Sequence, residues 1–404
     1  MTPTAPTAGP RAVAVAPSVL REMNQRLLLD QLFTAGPATR PRLARDTGLS
    51  PPTVNAALTD LRNAGLARAA GRSDTAPGRP ATVYEANPGA GHVVGVDIGR
   101  GWLRVIVADL AEQQLSSIEL RNTARTAATL VERVGEAVAE ATRVAGLDPS
   151  AITHTVIGSP GVYEPRRGRI LYAANLPGWQ RVGLAETLAA RLGTSVTVDN
   201  DANLAALGEH RYGAGRDARH FVYAHIGTGV GLGLVLDGRL YQGFTGAAGE
   251  VGYLPFGDQL GPARAGRPQR GMLEESLAAD AVVRYAHAAG MPAKITAEAV
   301  FIAARAGDER AQRAIIIEAT RLAQLLASIA ALFDPELIVL GGGVGQNLDL
   351  LEPPARAAMA PLTPMTPRLA AGALGQAAVV RGAIAAGVRH AREIVFATNT
   401  TRTG

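Results

Sequence analysis

Two short glycine turns carry the first chemistry legible in the chain. His225-Ile226-Gly227-Thr228-Gly229 precedes the apolar run Val230 to Asp237, and Asp97-Ile98-Gly99-Arg100-Gly101 precedes Trp102 to Asp109 in the same layout. Placing Gly99 on Gly227 also places Gly101 on Gly229 and Asp109 on Asp237. Lacking a Cβ, such turns let backbone N–H groups approach phosphate oxygens. One turn of this kind is ordinarily a plain β-hairpin; its repetition points to a duplicated domain whose turns face one ligand cleft. A second chemistry is base reading, because the amide of Asn55 can pair with both N6 and N7 of adenine. The chain has no cysteine, which excludes disulfides and thiolate metal sites and leaves only His or carboxylate as metal ligands.

Presenting Asn55 requires a particular set of elements. Residues 1–17, rich in Pro, Ala and Thr, read as a disordered leader. Leu20, Met23, Leu27, Leu28, Leu32 and Phe33 then follow helical spacing up to Gly36-Pro37. A short helix fits Pro41 to Thr47, with Leu43 and Ala44 inward. Gly48-Leu49-Ser50 makes a turn in which Ser50 caps the next helix, and Pro51-Pro52 suits its first turn. The helix body, Thr53 to Ala64, puts Val54, Ala57, Leu58 and Leu61 on one face, and Gly65 to Pro80 predicts a β-wing. The result is a winged helix-turn-helix over residues 18–87. Its reading helix would offer Thr53, Asn55, Ala56 and Thr59 to the major groove, with Arg40, Arg42, Arg45 and Arg62 near phosphates and Arg72 or Arg79 reaching a minor groove. Residues 1–86 hold ten arginines against six acids, four of the chain's five net positive charges. Trihelical units of this kind also serve as protein-binding modules; basic residues flanking the reading helix favour DNA.

The remaining residues, 88–390, alternate strand and helix signals. Strands fit His92 to Val96, Leu103 to Leu110, Ile152 to Gly158 and Ser195 to Val198, with a helix over Ala124 to Val144 and a second set from Phe221. This is an α/β body. At roughly 150 residues per domain, 404 residues make two to three domains. Ile315 to Phe333 carries Glu318, Arg321 and Gln324, and Ala12 to Ala16 stops at Pro17, so neither a membrane span nor a signal-peptide core is expected. A cytoplasmic location and a tail over 391–404 complete the outline.

Beyond the second hairpin, Asp237-Gly238-Arg239-Leu240-Tyr241 leads into Gly246-Ala247-Ala248-Gly249-Glu250-Val251-Gly252. With Asn200-Asp201-Ala202-Asn203, and Phe333-Asp334-Pro335-Glu336 ahead of Gly341-Gly342-Gly343-Val344, the chain resembles the ROK family of repressors, open reading frames and kinases over residues 18–390. The resemblance implies an actin-like sugar-kinase fold, two α/β lobes around a cleft, behind the winged head. Members with such a head are mostly sugar-responsive transcriptional repressors; those without it are mostly sugar kinases.

The resemblance also assigns residues. Asp201 matches the kinases' catalytic base, and Asn200, Glu250, Glu274, Tyr253 and Asn175 (in Asn175-Leu176-Pro177-Gly178-Trp179) fall at the sugar site. Gly227, Thr228 and Gly229, with Gly341 and Gly342, match the nucleotide turns. Read by residue type alone, Asp201 could equally cap a helix, and Glu250 and Glu274 could be solvated surface. Three departures stand out. Arg100-Gly101-Trp102 stands where the kinases have Gly, Thr and then Lys or Asn, so the Thr hydroxyl is missing at Gly101 and the bulk of Arg100 and Trp102 is expected to crowd the first turn. The family's zinc positions are Tyr253, Ala265, Arg267 and Met272 here, so no metal is expected. Tyr253 also replaces a sugar-touching His. The expectation is a repressor without cofactor whose partners are operator DNA carrying an inverted repeat, a monosaccharide or related sugar, and further copies of itself as a homodimer or homotetramer. A sugar kinase using ATP and magnesium with a fused head is the alternative, and a sugar-independent DNA-binding scaffold is the third.

Overall fold

Helix α1 (Pro17–Ala35) opens the part of the chain that the computed structural model describes, namely residues 16–73, 81–164, 167–171, 179, 182–255 and 270–401. Gln25, Leu28, Leu29 and Leu32 are its buried positions, whereas Leu20, Met23 and Leu27 are 49%, 58% and 44% exposed. The buried face is thus rotated from the one that apolar spacing predicted. The reason is polar: Asp60 accepts hydrogen bonds from Arg21 and Gln25, both at 2.7 Å, and these turn the Gln25 side of α1 inward. Next come β1 (Ala38–Thr39), α2 (Arg40–Thr47), α3 (Pro51–Asn63), β2 (Ala67–Ser73) and β3 (Ala81–Ala86). Gly48 takes the left-handed conformation at φ 71° after α2, and the Ser50 side chain accepts from the Thr53 N–H at 3.4 Å. Val54, Ala57, Leu58 and Leu61 of α3 are buried as their spacing predicts. The strands form an antiparallel sheet in the order β1-β3-β2, giving the wing.

A separate unit, residues 92–391, holds the α/β body. It runs β4 (His92–Ile98), β5 (Trp102–Asp109), β6 (Gln114–Arg121), α4 (Ala127–Val144), β7 (Ile152–Ser159), β8 (Val162–Glu164), β9 (Arg169–Leu171), α5 (Leu184–Leu192), β10 (Ser195–Asn200) and α6 (Asp201–Tyr212). The second half follows: β11 (Phe221–Ile226), β12 (Val230–Leu236), β13 (Arg239–Tyr241), α7 (Met272–Leu277), α8 (Ala279–Ala288), α9 (Ala297–Arg305), α10 (Glu309–Phe333), β14 (Leu337–Gly341), α11 (Gly342–Gly345), α12 (Leu348–Met359), β15 (Arg368–Ala371) and α13 (Ala378–Thr401). The two five-stranded sheets have one topology. In each, the first strand (β4 or β11) lies in the middle, two antiparallel strands (β5-β6 or β12-β13) extend one side, and two parallel strands (β7-β10 or β14-β15) extend the other. The duplication read from one hairpin therefore covers whole sheets. By length and composition α10 could cross a membrane, the one such helix among the described residues, but Leu322, Leu325, Leu326 and Ile329 bury it in the second lobe's core.

Between the sheets lie α6 and the first half of α13. Val156 of β7, Leu204 to Ala206 of α6, Tyr223 of β11, Val339 of β14 and Val379 and Ala383 of α13 share one buried cluster. The two helices touch backbone to backbone. A Cβ on Gly208 would strike the Ala378 carbonyl and lie 3.1 Å from the Gly382 nitrogen, and one on Gly382 would strike the Leu204 carbonyl. The segment from 391, expected as a tail, is helical as far as Thr401, and residues 392–404 group with residues 1–91. Val395 and Phe396 are buried there, the Arg392 guanidinium sits 3.8 Å over Phe33, and Asn399 donates to the carbonyl of Ala64 at the end of α3. An Arg-rich helix hides this role because its arginines bury their stems on aromatic rings.

Helix propensity alone would favour Gly382→Ala by about 1 kcal/mol. Overpacking at the crossing should reverse the sign, so that Gly382→Ala destabilises the body by about 1–3 kcal/mol and lowers Tm. A raised Tm would show that α6 and α13 can separate at no cost.

Candidate effector cleft and nucleic-acid interface

The last residues of β10 and the first of α6 build one wall of the cleft. Asn200 is the helix N-cap: its Oδ1 accepts from the N–H groups of Ala202 and Asn203 at 2.9 and 3.1 Å, and its Nδ2 donates to the Gly161 carbonyl at 3.1 Å. Capping therefore belongs to Asn200, and Asp201 stands at the first helical position, where the helix dipole favours a carboxylate. Beside them Asp199, which sequence reasoning passed over, accepts from the Asn200 N–H at 2.7 Å and from Gln242 at 3.2 Å while burial raises its pKa.

Asp201 couples acids from both lobes. Burial pushes Glu250 up to about 7, and the charges of Asp201 and Glu274 add to the rise. Asp97, at the end of β4, is likewise pushed up to about 7 by burial, with Arg104 opposing and Asp201 reinforcing the shift. Glu274 is raised by burial, opposed chiefly by Arg270. Carboxylates crowded in a poorly hydrated region need hydroxyl or N–H donors, which a polyol supplies in quantity. Among the described residues no three His, Cys, Asp or Glu side chains gather closely enough to hold a metal ion.

Glu250 is positioned by Gly249, whose φ of 95° and contact with the Leu232 carbonyl admit no side chain. The second glycine turn closes through the Gly227 N–H to the Gly229 carbonyl at 2.9 Å. Arg270, another residue that spacing did not reveal, buckles this turn to α7 and α8: it donates to the Thr228 carbonyl at 2.6 Å and pairs with Glu274 at 2.9 Å and Asp280 at 3.0 Å. Gly341 and Gly342 form the end of β14 and the start of α11, and a Cβ on Gly227 would lie 3.7 Å from the Gly343 nitrogen, so these two turns adjoin.

The first turn differs from its expected state. Trp102 lies under the Arg121 guanidinium at 3.9 Å, Arg100 is exposed, and the space beside Gly101 is open, so bulk does not fill this turn. Cross-strand stacking between β5 and β6 draws the indole aside. What alters the chemistry is Arg104, largely buried, which bonds Asp97 at 3.2 Å and Glu119 at 3.0 Å and so ties up the first turn's carboxylate. No motif contained Arg104; its register opposite Asp97 was the available signal.

Tyr253 ends a short 3-10 turn and is 44% exposed, and Met272 begins α7. A phenol and a thioether, in a chain without cysteine, do not make the zinc site that the fold family implies. Asn175, Ala265, Arg267 and Arg79, like residues 1–15 of the leader, lie outside the described residues. Trp179, at the end of the Asn175 segment, is fully buried and donates to Ser159 Oγ at 2.7 Å.

On the head, Asn55, Ala56 and Thr59 lie exposed along α3. Thr53 is half-buried and shares a hydrogen bond with Ser50 Oγ at 2.8 Å, while the Thr59 hydroxyl donates to the Asn55 carbonyl. Arg42 pairs with Asp46 at 3.3 Å, and Arg45, Arg62 and Arg72 are exposed. Arg40 is half-buried 4.5 Å over the Tyr84 ring, with Arg62 at 5.8 Å over the same ring. Arg40 is therefore first a packing residue.

Comparison with known proteins agrees with this geometry. The ROK family model matches residues 93–387. The glucokinase of Thermotoga maritima is 33% identical over 242 residues, 56% of this chain and 74% of that one. The xylose repressor of Caldicellulosiruptor bescii is 25% identical over 338 residues, 80% of this chain and 84% of its own. Among solved structures, a ROK family transcriptional regulator described as a homolog of the E. coli MLC protein superimposes with a TM-score of 0.76 at 24% identity, covering 95% of this chain and 99% of that one. The body thus has the actin-like sugar-kinase fold.

Glu250 makes stability depend on pH. Its carboxyl is raised to about 7 in the folded state, so between the ordinary carboxylate range and pH 7 the folded chain binds the extra proton and loses stability as pH rises. Glu250→Gln should therefore match the parent near pH 4 and exceed it at pH 8 by about 1–3 kcal/mol, read as a diverging pair of Tm-versus-pH curves. Parallel curves would show that Glu250 titrates normally.

Proposed function

The chain belongs to the ROK family, and we propose that within it this protein is a sugar-responsive DNA-binding repressor acting in the cytoplasm. One observation carries the reading: an exposed Asn55 on α3 of a winged head and a group of buried, mutually coupled acids around Asp201 occur on the same chain. Alignment with a xylose repressor over 338 residues supports it. Asp201, Glu250 and Glu274 accept hydrogen bonds from sugar hydroxyls, and a protonated Glu250 donates one in return. Asn200 contributes less, because its carbonyl oxygen already caps α6. A sugar that prefers one of two domain arrangements by about 1–3 kcal/mol changes operator affinity roughly 5- to 150-fold.

The protein acts as a homodimer or homotetramer on an inverted repeat. The exposed apolar stripe of Val19, Leu20, Met23 and Leu27 on α1 supports self-association, since a two-fold pairing can cover such a face on both copies. A sugar kinase is the second reading, favoured by Asp201 at the base position and by the intact second and third glycine turns. Against it, Arg104 pairs with the Asp97 carboxylate beside the first turn, which is then not free to hold a phosphate-bound cation.

Titrating sugars against thermal stability, then against affinity for operator DNA, should find a ligand that changes that affinity within the 5- to 150-fold range. If no sugar does so, the DNA-binding scaffold reading replaces this one. Asn55→Ala should lower discrimination at one base pair by about 1–3 kcal/mol, whereas Arg42→Ala weakens specific and random DNA alike.

With ATP, magnesium and the sugars found by thermal shift, phosphorylation should stay at background. Turnover near the roughly 1–100 s⁻¹ typical of kinases, abolished by Asp201→Asn, would establish the kinase.

A further inference from the structure

A second concave site lies at the other end of α6 from Asp201. The cavity, about 430 Å³, opens between α6 and α13, with Leu207, Ala385 and Ala386 as its apolar wall. Its size falls in the usual range for small-molecule sites, roughly 300–1,000 Å³. Arginines dominate its polar lining. Arg211 is engaged by Glu112 at 2.9 Å. Arg216, in the loop after α6, and Arg389, on α13, line the same cavity without an ion pair among the described residues, and Asp217 is the single acid in the lining. His210 is half-buried beside Phe221, and burial lowers its pKa, so it adds a neutral ring at pH 7.

Two guanidinium groups without ion pairs at one concavity, against a single acid, favour an anion there. Their planar forks suit the oxygens of a phosphoryl group, and a doubly charged phosphate answers two cations better than a single carboxylate does. A bare ion would leave the apolar wall uncovered. We propose that this cavity is an effector site for a small phosphomonoester, its phosphate held by Arg216 and Arg389 and its carbon body lying on Leu207, Ala385 and Ala386. The ligand would contact both α6 and α13. Those helices also meet at the Gly208–Gly382 crossing, and α6 carries Asp201 about 14 Å away along its axis at 1.5 Å per residue. A ligand bound here therefore bridges the two helices whose crossing positions Asp201. The site does not depend on the repressor reading, since it rests on other residues.

The experiment uses the full chain with glycerol 3-phosphate, inorganic phosphate and glycerol as probes, at constant ionic strength, read by calorimetry and thermal shift. Glycerol 3-phosphate should bind saturably and more tightly than inorganic phosphate, and glycerol should not bind. Arg216→Gln and Arg389→Gln should each weaken binding at least about tenfold while keeping the ligand-free Tm, and Arg389→Lys should recover part of the loss. Binding that is equal in parent and variants, absent altogether, or lost in Gly227→Ala but not in Arg389→Gln would overturn the proposal. The last outcome would place the phosphate at the glycine turns.

Discussion

Helix α6 is clamped where no side chain fits, and the placement of Asn200 and Asp201 at its start follows from that clamp. At Gly208 and Gly382 its backbone meets that of α13, and on its other side a Cβ on Gly233 of β12 would strike the backbone of Ala202. Lengthwise it is held at both ends. Asn200 caps its start, and the wholly buried Glu209 near its end accepts from the N–H groups of Ala214, Ala373 and Leu374 at 2.8, 3.1 and 2.9 Å. Close backbone contact is unforgiving because overlap energies rise steeply with tenths of an ångström. A helix so confined presents Asp201 at one defined point between the two sheets.

That placement matters because Asp201 stands among other buried acids. Asp97, Glu250 and Glu274 all feel Asp201, and burial raises each of them. Such an arrangement persists only when the surrounding framework holds it, and it favours any ligand that donates several hydrogen bonds at once. Arginine partly relieves it, because Arg104 pairs with Asp97 and Arg270 with Glu274. The Arg104 pair also engages the carboxylate at the end of β4, beside the first glycine turn.

α13 belongs to both structural units. Its first half is core to the body, and from Arg392 it is core to the head, where it reaches the end of the reading helix through Asn399 and Ala64. The arginine-lined cavity opens onto the first half of this helix.

Much of the head was legible because its determinants are local. Gly48, the Ser50 cap and the spacing of Val54, Ala57, Leu58 and Leu61 act within a few residues of each other, so pattern alone defined α3 and the exposure of Asn55. The duplicated hairpin was legible for the same reason, as was the family to which its motifs pointed. The inward face of α1 was not, since a distant carboxylate, Asp60, selected the side that carries Gln25. Nor were Arg104 and Arg270, whose roles come from strand register and from a turn some forty residues away. The helical C-terminus was read as a tail because its partners are distant: Arg392 stacks on Phe33, and Phe396 lies under Arg26, each ring and cation paired only from opposite ends of the chain. Short-range sterics and capping are written in neighbouring residues; long-range pairing of charges and packing of stems on rings exist only once the chain has folded.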